Sequence, residues 1–350
     1  MITKIVKIEE IQTKTEADLN SAAGIIKNGG LVVFPTETVY GLGGDGTNPK
    51  AAEKIYAAKG RPSDNPLIIH IAAPEDAERY TYTTKLYYAL AERFMPGPLT
   101  VVLKARDNVP KETRAGLPTV AVRCPENKVA RELIRRAGVP IAAPSANLSG
   151  SPSPTTAQHV IDDMDGRVDM IIDGGSSKFG LESTIIKLDD DGGITLLRPG
   201  KITVEDLLSV CPKVRVAKAV LEKLEAGEVA ISPGMKYRHY APKAPLFLYD
   251  GELSSFVKYV RENENKKRIA VLAYKSDAKE VRAALPEAFV YEFGERDDGA
   301  ACAHLLFSIL RDADKRNFDE IYAPLPEQKG IGLALYNRMI RAAAHQIIRL

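Results

Sequence analysis

The chain has 350 residues, of which 45% are hydrophobic and 27% charged, and its formal net charge is +2. This composition is typical of a globular protein of one or two domains, and the near-balanced charge argues against extensive nucleic-acid binding. No apolar run approaches the ~18 residues of a membrane span, and the N-terminus lacks the apolar core of a signal peptide. The 3 scattered cysteines predict neither a disulfide framework nor a zinc site, so we expect a cytoplasmic protein with reduced thiols and no membrane contact.

Helices and strands are predicted to alternate irregularly over the first 211 residues. An amphipathic helix at 17–27 precedes a buried strand at 31–34, which is rich in β-branched residues. Asn48 as N-cap and Pro49 as first helical residue predict a second helix that ends near Lys59. Further helices are predicted at 86–94 and 130–137, and further strands at 67–71, 99–104, 119–123, 139–143, 170–172, 184–188 and 195–197. The irregular order predicts an α/β domain, residues 1–211, built on one twisted mixed sheet.

The remainder of the chain divides into a linker and a smaller domain. Residues 212–245 are polar, aromatic and proline-rich with little periodicity, apart from a short helix predicted at 217–225, and are therefore predicted as a linker. Beyond it, strands are predicted at 246–249, 268–273, 289–293 and 318–323, and helices at 253–262, 281–285, 300–313 and 333–348. This regular alternation predicts a parallel, Rossmann-like α/β domain over residues 246–350.

The glycine-rich segment Gly41–Gly46 fits the spacing G-x-G-x-x-G, with Asp64 about 20 residues further on. In a dinucleotide site the strand runs directly into the glycines, and the last glycine opens the helix. Here the polar segment Thr36–Tyr40 intervenes and the helix begins only after Asn48. We therefore predict a glycine-rich turn. An NAD-dependent oxidoreductase stays an alternative, which a failure to bind NAD would exclude.

Two loops are rich in polar side chains. Lys59 and Arg61 end a helix, and Asn65 follows in a loop stiffened by prolines. Closely spaced cations and amides suit a polyphosphate, although the cations could equally offset the carbonyl end of their helix. The second loop, residues 145–153, is rich in serine, but no serine stands in a G-x-S-x-G elbow, and the 5 histidines show no paired metal-ligand spacing. The sequence therefore predicts neither a covalent serine mechanism nor a protein-bound metal, and His70 on its apolar strand is typical of a core residue.

Several motifs together carry a resemblance to a known family. They are FPTETVYGLG, Lys59–Gly60–Arg61, Asn65–Pro66–Leu67, APSAN at 143–147, SGSPSPTT, LESTII and, in the linker, KYRHYAP at 236–242. The first six resemble the YrdC-like domain. The last, with the trailing α/β domain, resembles the long, two-domain form of the threonylcarbamoyl-AMP synthase family. The resemblance spans nearly the whole chain in the family's order, and it implies a twisted sheet with a large, positively lined cleft.

The resemblance implies that L-threonine, bicarbonate or carbon dioxide, and ATP give threonylcarbamoyl-AMP and pyrophosphate, with Mg²⁺ on the phosphates. The product would pass to a tRNA threonylcarbamoyl transferase complex that modifies the adenosine beside the anticodon. Whether tRNA also binds this chain directly stays open. Because the carbamate oxygen attacks the α-phosphorus, no protein nucleophile is needed, and catalysis would depend on positioning and on neutralising phosphate charge.

The resemblance also assigns residues to the two ends of the cleft. Those implied to face ATP are Lys59, Arg61, Asn65, Ser145, Ser153, Arg198 and His239, with Lys59 and Arg61 as the catalytic cations. Those implied at the threonine and carbamate end are Thr36, Thr38, His70, Thr119, Arg123, Ala143 and Ser183. Tyr237, His239 and Tyr240 would form a lid that excludes water. The alternative is a spacer whose aromatic residues pack on the second domain. No protein ligand for the metal is implied.

Two further functions stay open beside this one. A basic concave surface could bind double-stranded RNA, which a steep salt dependence would reveal, although the net charge of +2 argues against high affinity. A related enzyme could form a carbamoyl adenylate from carbamoyl phosphate, but the sequence lacks acylphosphatase-like and zinc-finger segments.

Overall fold

The computed structural model describes residues 2–222, 240–263 and 267–350. These residues belong to two units. The first unit contains residues 2–149 and 153–222, and the second contains residues 240–263 and 267–350 together with Gly150–Pro152. Three residues of the serine-rich loop therefore belong to the second unit, which no sequence pattern indicated. We propose that residues 1–211 and 246–350 are the folding domains and that residues 212–245 are the linker between them.

The first unit is built on a 12-stranded mixed sheet of order β1-β9-β2-β3-β8-β4-β7-β6-β10-β11-β12, with β5 paired to β6. Its strands are β1 (Lys4–Lys7), β2 (Val32–Phe34), β3 (Gly41–Asp45), β4 (Ile68–His70), β5 (Thr81–Tyr82), β6 (Leu99–Ala105), β7 (Thr119–Arg123), β8 (Ile141–Ala142), β9 (Met170–Asp173), β10 (Thr184–Leu188), β11 (Ile194–Arg198) and β12 (Val214–Val216). Its helices are α1 (Glu16–Lys27), α2 (Pro49–Lys59), α3 (Lys85–Phe94), α4 (Lys128–Ala137), α5 (Ala157–Met164) and α6 (Val204–Leu208). The predicted twisted mixed sheet is confirmed.

Helix α2 shows how local sequence sets the ends of an element. The Asn48 side chain accepts a hydrogen bond of 3.0 Å from the Lys50 N–H, and Pro49 occupies the first turn, where its missing N–H costs nothing. Gly60 ends the helix in the left-handed conformation, with φ of 60°. The buried face of α2, which includes Ile55, packs against β3. The helix therefore delivers Lys59 to a fixed place beside the sheet.

The glycine-rich segment is the main correction in this unit, because the predicted turn is the buried strand β3. It pairs antiparallel with both β2 and β8. A Cβ atom on Gly43 would lie 2.7 Å from Ile141 Cγ2 and 2.7 Å from Phe34 Cε1, closer than atoms can approach. The glycines thus permit close packing within the sheet. A dinucleotide-binding turn at this place is wrong.

The second unit has a 5-stranded, wholly parallel sheet of order β15-β14-β16-β13-β17. Its strands are β13 (Leu246–Asp250), β14 (Ile269–Ala273), β15 (Phe289–Glu292), β16 (Glu320–Pro324) and β17 (Ile347–Arg349), and its helices are α7 (Leu253–Asn263), α8 (Lys275–Ala284), α9 (Gly299–Arg316) and α10 (Ile331–Ala342). Helices α7 and α8 pack on one core with β14. The predicted parallel Rossmann-like domain is confirmed.

Two predicted helices, one in the C-terminal domain and one in the predicted linker, have different limits in the structure. The helix predicted at 333–348 ends at Ala342, because Ala344 and His345 adopt positive φ values of 49° and 64° and the chain then forms β17. The helix predicted at 217–225 is a single 3-10 turn, Lys218–Val220, in its described part. None of the described helices is both long and apolar enough to cross a membrane.

Candidate active site

A row of buried polar side chains crosses neighbouring strands of the large sheet near one end of each strand. In the sheet register His70 on β4 lies beside Arg123 on β7, and Arg123 lies beside Thr100 on β6. Thr100 Oγ1 is 2.7 Å from Ser183 Oγ, just before β10. Arg198, the last residue of β11, donates to Ser183 from Nη2 to Oγ (3.1 Å) and from Nε to the carbonyl oxygen (3.0 Å). Residues far apart in sequence thus form one polar row.

Arg123 is held in this row by a buried carboxylate. Its Nη2 lies 2.6 Å from Glu37 Oε1, and the two side chains are only 5% and 4% exposed. The second carboxylate oxygen of Glu37 accepts a hydrogen bond of 3.4 Å from the Asn127 N–H. Sequence reasoning gave Glu37 no role, since it stands 86 residues from Arg123 and no spacing rule joins them. The pair fixes a guanidinium at the centre of the row.

The imidazole of His70 is buried beside Arg123. Its Nδ1 lies 3.2 Å from the carbonyl oxygen of Ile68 and 3.3 Å from that of Ile141. Because both partners are acceptors, Nδ1 carries the proton and Nε2 is the acceptor nitrogen of a neutral ring. Burial, and then the charge of Arg123, lower the pKa of His70 to about 3. The ring is therefore neutral at physiological pH.

We expect His70 to make the protein less stable in mild acid. Because its pKa falls from 6.5 to about 3 on folding, only the unfolded chain binds this proton between those values. The stabilisation is therefore complete above pH 6.5 and is lost as the pH falls toward 3, by up to about 1.4 kcal/mol per pH unit. Urea unfolding from pH 7 to pH 5 should show a shallower loss for His70→Asn than for the wild type. His304→Gln, at an exposed position, should follow the wild type, and parallel wild-type and His70→Asn curves would contradict the expectation.

Lys59 supports the loop that carries the predicted nucleotide-binding serines. Its buried Nζ donates to the carbonyl oxygens of Ser145 (2.5 Å) and Asn147 (2.6 Å), and lies 3.4 Å from Asn147 Oδ1. Ser145 Oγ also donates to Asn147 Oδ1 (2.5 Å), and the Ser149 N–H donates to the Lys59 carbonyl oxygen (2.9 Å). The ammonium group therefore shapes the segment 145–153, called the serine loop below.

Arg61 and Asn65 form a second polar group next to α2. Arg61 Nη2 donates to the carbonyl oxygens of Asn65 (3.1 Å) and Pro66 (3.3 Å), which closes the turn after the helix. The Asn65 side chain is fully buried, yet within the part of the chain that the structure describes neither its Oδ1 nor its Nδ2 has a hydrogen-bond partner. An unmade buried hydrogen bond costs about 1–3 kcal/mol, so such an amide suits a ligand that supplies its partners.

A further contact connects the serine loop with the polar row. Ser153 Oγ donates to the carboxylate of Glu182, and both side chains are buried. Glu182 immediately precedes Ser183, a member of the row. Like Glu37 and Thr100, Glu182 was missed by sequence reasoning. It stands inside the LESTII motif, which is the only signal that could have singled it out.

The segment Thr36–Tyr40 also joins the polar row to the serine loop. Its Glu37 holds Arg123, and the carbonyl oxygen of Tyr40 accepts a hydrogen bond of 2.8 Å from the Ala146 N–H of the serine loop. Thr36 Oγ1 and Thr38 Oγ1 are buried and lie 2.9 Å apart. The segment after β2 thus links the polar row to the loop that Lys59 supports.

Ala143 and Thr119 are the remaining residues predicted at the threonine end. Ala143 is buried, and its N–H donates to the carbonyl oxygen of Ile68 (2.9 Å), which fixes the backbone after β8. Thr119 is the first residue of β7, where the register sets it opposite Lys104. It shares a face of the strand with Arg123 but lies at the other end, about 13 Å away at ~3.3 Å per residue. Thr119 is therefore outside the polar row.

The three residues predicted to form a lid are only partly described. Tyr237 and His239 lie outside the described residues. Tyr240 belongs to the second unit, where its buried ring stacks on Phe307 with a centroid distance of 5.4 Å and the Arg338 guanidinium lies 5.4 Å from its centroid. This is the packing expected for a spacer. The lid stays a prediction.

The described residues contain no cluster of side chains suited to bind a divalent metal. Within residues 2–222, 240–263 and 267–350, no group of three or more His, Cys, Asp or Glu side chains could hold an ion. The buried carboxylates near the row already bind protein groups, Glu37 to Arg123 and Glu182 to Ser153. The described residues therefore do not fit a resident metal site.

Comparisons with known proteins agree with the fold and with these motifs. Residues 24–200 match the family model Sua5_yciO_yrdC, described as telomere recombination, and residues 202–344 match the model of the threonylcarbamoyl-AMP synthase C-terminal domain. The fold and the polar site thus define a two-domain protein of the Sua5 class. The chain belongs to the threonylcarbamoyl-AMP synthase family, as its motifs suggested.

The relatives match over nearly their full length. The chain is 42% identical to the threonylcarbamoyl-AMP synthase of Pyrococcus abyssi over 95% of this chain and 96% of the relative. It is also 42% identical to that of Bacillus subtilis, over 97% of both chains. The crystal structure of P. abyssi Sua5 complexed with L-threonine superposes with a TM-score of 0.89 at 40% identity, covering 100% of both chains.

Proposed function

We propose that this protein makes threonylcarbamoyl-AMP and pyrophosphate from L-threonine, bicarbonate or carbon dioxide, and ATP. The observation that carries the proposal is the link between two groups of side chains. The segment Thr36–Tyr40 binds Arg123 through Glu37 and the serine loop through Tyr40. A fixed guanidinium suited to an amino-acid carboxylate thus belongs to the same framework as a polar loop suited to a nucleotide. The near full-length match to threonylcarbamoyl-AMP synthases supports the same conclusion.

The polar row would hold the amino acid. Arg123 would bind the threonine carboxylate, while Glu37 keeps the guanidinium in place. Neutral His70 offers Nε2 as an acceptor for a substrate N–H or O–H group. The other residues proposed at this end are Thr36, Thr38, Ala143 and Ser183. Thr119 lies outside the polar row, at the far end of β7, and is assigned no contact with the substrate. With these contacts the threonine amine would be held while it captures carbon dioxide as a carbamate and loses a proton to solvent.

The nucleotide would lie along the serine loop and the end of α2. The residues proposed to face it are Lys59, Arg61, Asn65, Ser145, Ser153, Arg198 and His239. The carbamate oxygen would form a bond to the α-phosphorus as the bond to pyrophosphate breaks, with no covalent intermediate on the protein. Lys59 and Arg61 would then act by placing the phosphates and neutralising the charge that develops on the leaving group. Magnesium would arrive as part of the ATP complex, and no step is assigned to protein-bound metal.

The linker residues are proposed to cover the site during the reaction. The mixed anhydride that forms is prone to hydrolysis, so excluding water would extend its lifetime. In His239→Ala and Tyr240→Ala variants we expect the product to decay faster on the enzyme and turnover to fall. Chromatography of quenched reactions over time measures both quantities. Unchanged turnover with an equally long-lived product would favour the spacer instead.

The product is proposed to leave for a tRNA threonylcarbamoyl transferase complex in the cytoplasm. A released acyl adenylate needs an acceptor that attacks its carbonyl carbon and expels AMP, and the adenosine of the tRNA would be that acceptor. Direct binding of tRNA by this chain is not part of the proposal.

The proposed function is tested by the substrates that pyrophosphate release requires. Purified protein is assayed with ATP, L-threonine and bicarbonate, and each is omitted in turn. Release only with all three is the expected result. Release without threonine would indicate another acceptor or simple nucleotide hydrolysis, and no release by folded protein would overturn the proposal.

A further inference from the structure

The serine loop contributes its middle residues to the second unit. The chain leaves the first unit after Ser149 and returns to it at Ser153. Within the second unit, Arg311 of α9 donates to the carbonyl oxygen of Pro152 from both Nε (3.1 Å) and Nη2 (2.7 Å). Arg311 is only 8% exposed. Two donors of one rigid guanidinium restrict the position of an acceptor more than a single hydrogen bond does.

The same three residues have a second hydrogen bond in this unit. The Ala241 N–H donates to the carbonyl oxygen of Gly150 (3.0 Å), so the segment is held at both ends. Tyr240, which precedes Ala241, stacks on Phe307 of α9. Phe307 and Arg311 are four residues apart and therefore lie on one face of the helix. This face of α9 holds both the loop segment and the last residue of the proposed lid.

We propose that Arg311 is a positioning residue for ATP, and that fixing the serine loop is a task of the second unit in the reaction. Ser153 follows Pro152 directly, at a Cα separation of about 3.8 Å, so a displaced Pro152 would displace Ser153. Prolines at 152 and 154 fix the backbone φ angles on both sides of Ser153 and transmit such a shift. The inference rests on the proposed function, because the contact between the serine loop and ATP is itself proposed.

The test compares Arg311→Met with Arg316→Met in the full-length protein. Arg316 lies on the same helix, but its guanidinium contacts half-buried Asp312 and the Phe289 ring. For Arg311→Met we expect KM for ATP in pyrophosphate release to rise roughly 10-fold or more, since a charged donor pair is lost. KM for L-threonine should change less than about 2-fold, because the polar row holding that substrate is untouched. Arg311→Lys, which keeps the charge and one donor, should fall between, and Arg316→Met should match the wild type.

Amide hydrogen exchange of peptides covering residues 149–157 gives a readout independent of activity. Faster exchange there in Arg311→Met, with KM for ATP raised alone, is the expected result. Faster exchange with unchanged KM for ATP would overturn the proposal, as would equal changes in both KM values. Should Arg311→Met fail to fold, Arg311→Lys decides on the same criteria. If the wild type itself releases no pyrophosphate, the proposed function fails, whereas the exchange data still report whether Arg311 holds the loop.

Discussion

Arg123→Met is expected to lose both folding stability and the use of threonine. The substitution leaves the buried carboxylate of Glu37 without its ion-pair partner, and breaking such a pair costs about 3–5 kcal/mol. It also removes the group proposed to bind the threonine carboxylate through two charged hydrogen bonds. That loss should cost at least about 3 kcal/mol of binding, or ~100-fold in KM for threonine. Urea unfolding and pyrophosphate release at varied threonine concentration measure the two effects.

A second substitution separates the two effects. In the double variant Arg123→Met/Glu37→Gln no buried charge is left alone, so stability should recover by about 1–3 kcal/mol relative to Arg123→Met. Threonine use should not recover, because the guanidinium is still missing. Arg135→Met is the control, since this arginine is 57% exposed and its ion pair with Glu132 belongs to the surface, where such pairs contribute little. A normal KM for threonine in either Arg123 variant would remove Arg123 from the threonine site.

The sequence was most informative where local chemistry decides the structure. The Asn48–Pro49 start and Gly60 end of α2 were predicted because capping depends on adjacent residues. Strand β7 was predicted with its observed limits, Thr119 to Arg123. The regular βα alternation beyond residue 246 predicted the parallel sheet, since parallel strands need crossover connections.

Tertiary context decided the cases that the sequence could not. The strand β3 is made of residues with low strand propensity, and its glycines are required by the side chains that pack against it, Phe34 and Ile141 at Gly43 and Leu31 at Gly44. The helix α5 and the edge strands β1 and β12 are too short, or too weakly patterned, for periodicity to reveal. The Glu37–Arg123 and Ser153–Glu182 contacts join residues 86 and 29 positions apart, which no local rule connects. The family resemblance supplied most of the site, but not these partners.

Lys59→Met is expected to reduce both pyrophosphate release and stability. Methionine keeps an unbranched side chain, but it removes the ammonium that binds the carbonyl oxygens of Ser145 and Asn147. Hydrogen bonds to a charged group contribute about 1.5–3 kcal/mol each, and both carbonyl oxygens would lose this donor. We expect kcat/KM for ATP to fall ~100-fold or more, because a phosphate-neutralising charge is lost together with the shape of the serine loop.

Two matched variants show which part of this loss belongs to the site. Lys54 lies on the same helix as Lys59, and its Nζ donates to the carbonyl oxygen of Gly29 (2.6 Å), outside the polar groups described. Lys54→Met therefore also removes a lysine that binds a backbone carbonyl. It should keep full activity. Arg61→Met loses the hydrogen bonds to the carbonyl oxygens of Asn65 and Pro66, and we expect activity to fall ~10- to 150-fold, for one charged contact of about 1.5–3 kcal/mol. If Lys59→Met lost stability but kept its kcat/KM for ATP, Lys59 would be a support of the loop and not a catalytic residue, because a group that neutralises phosphate charge cannot be removed without cost to the rate.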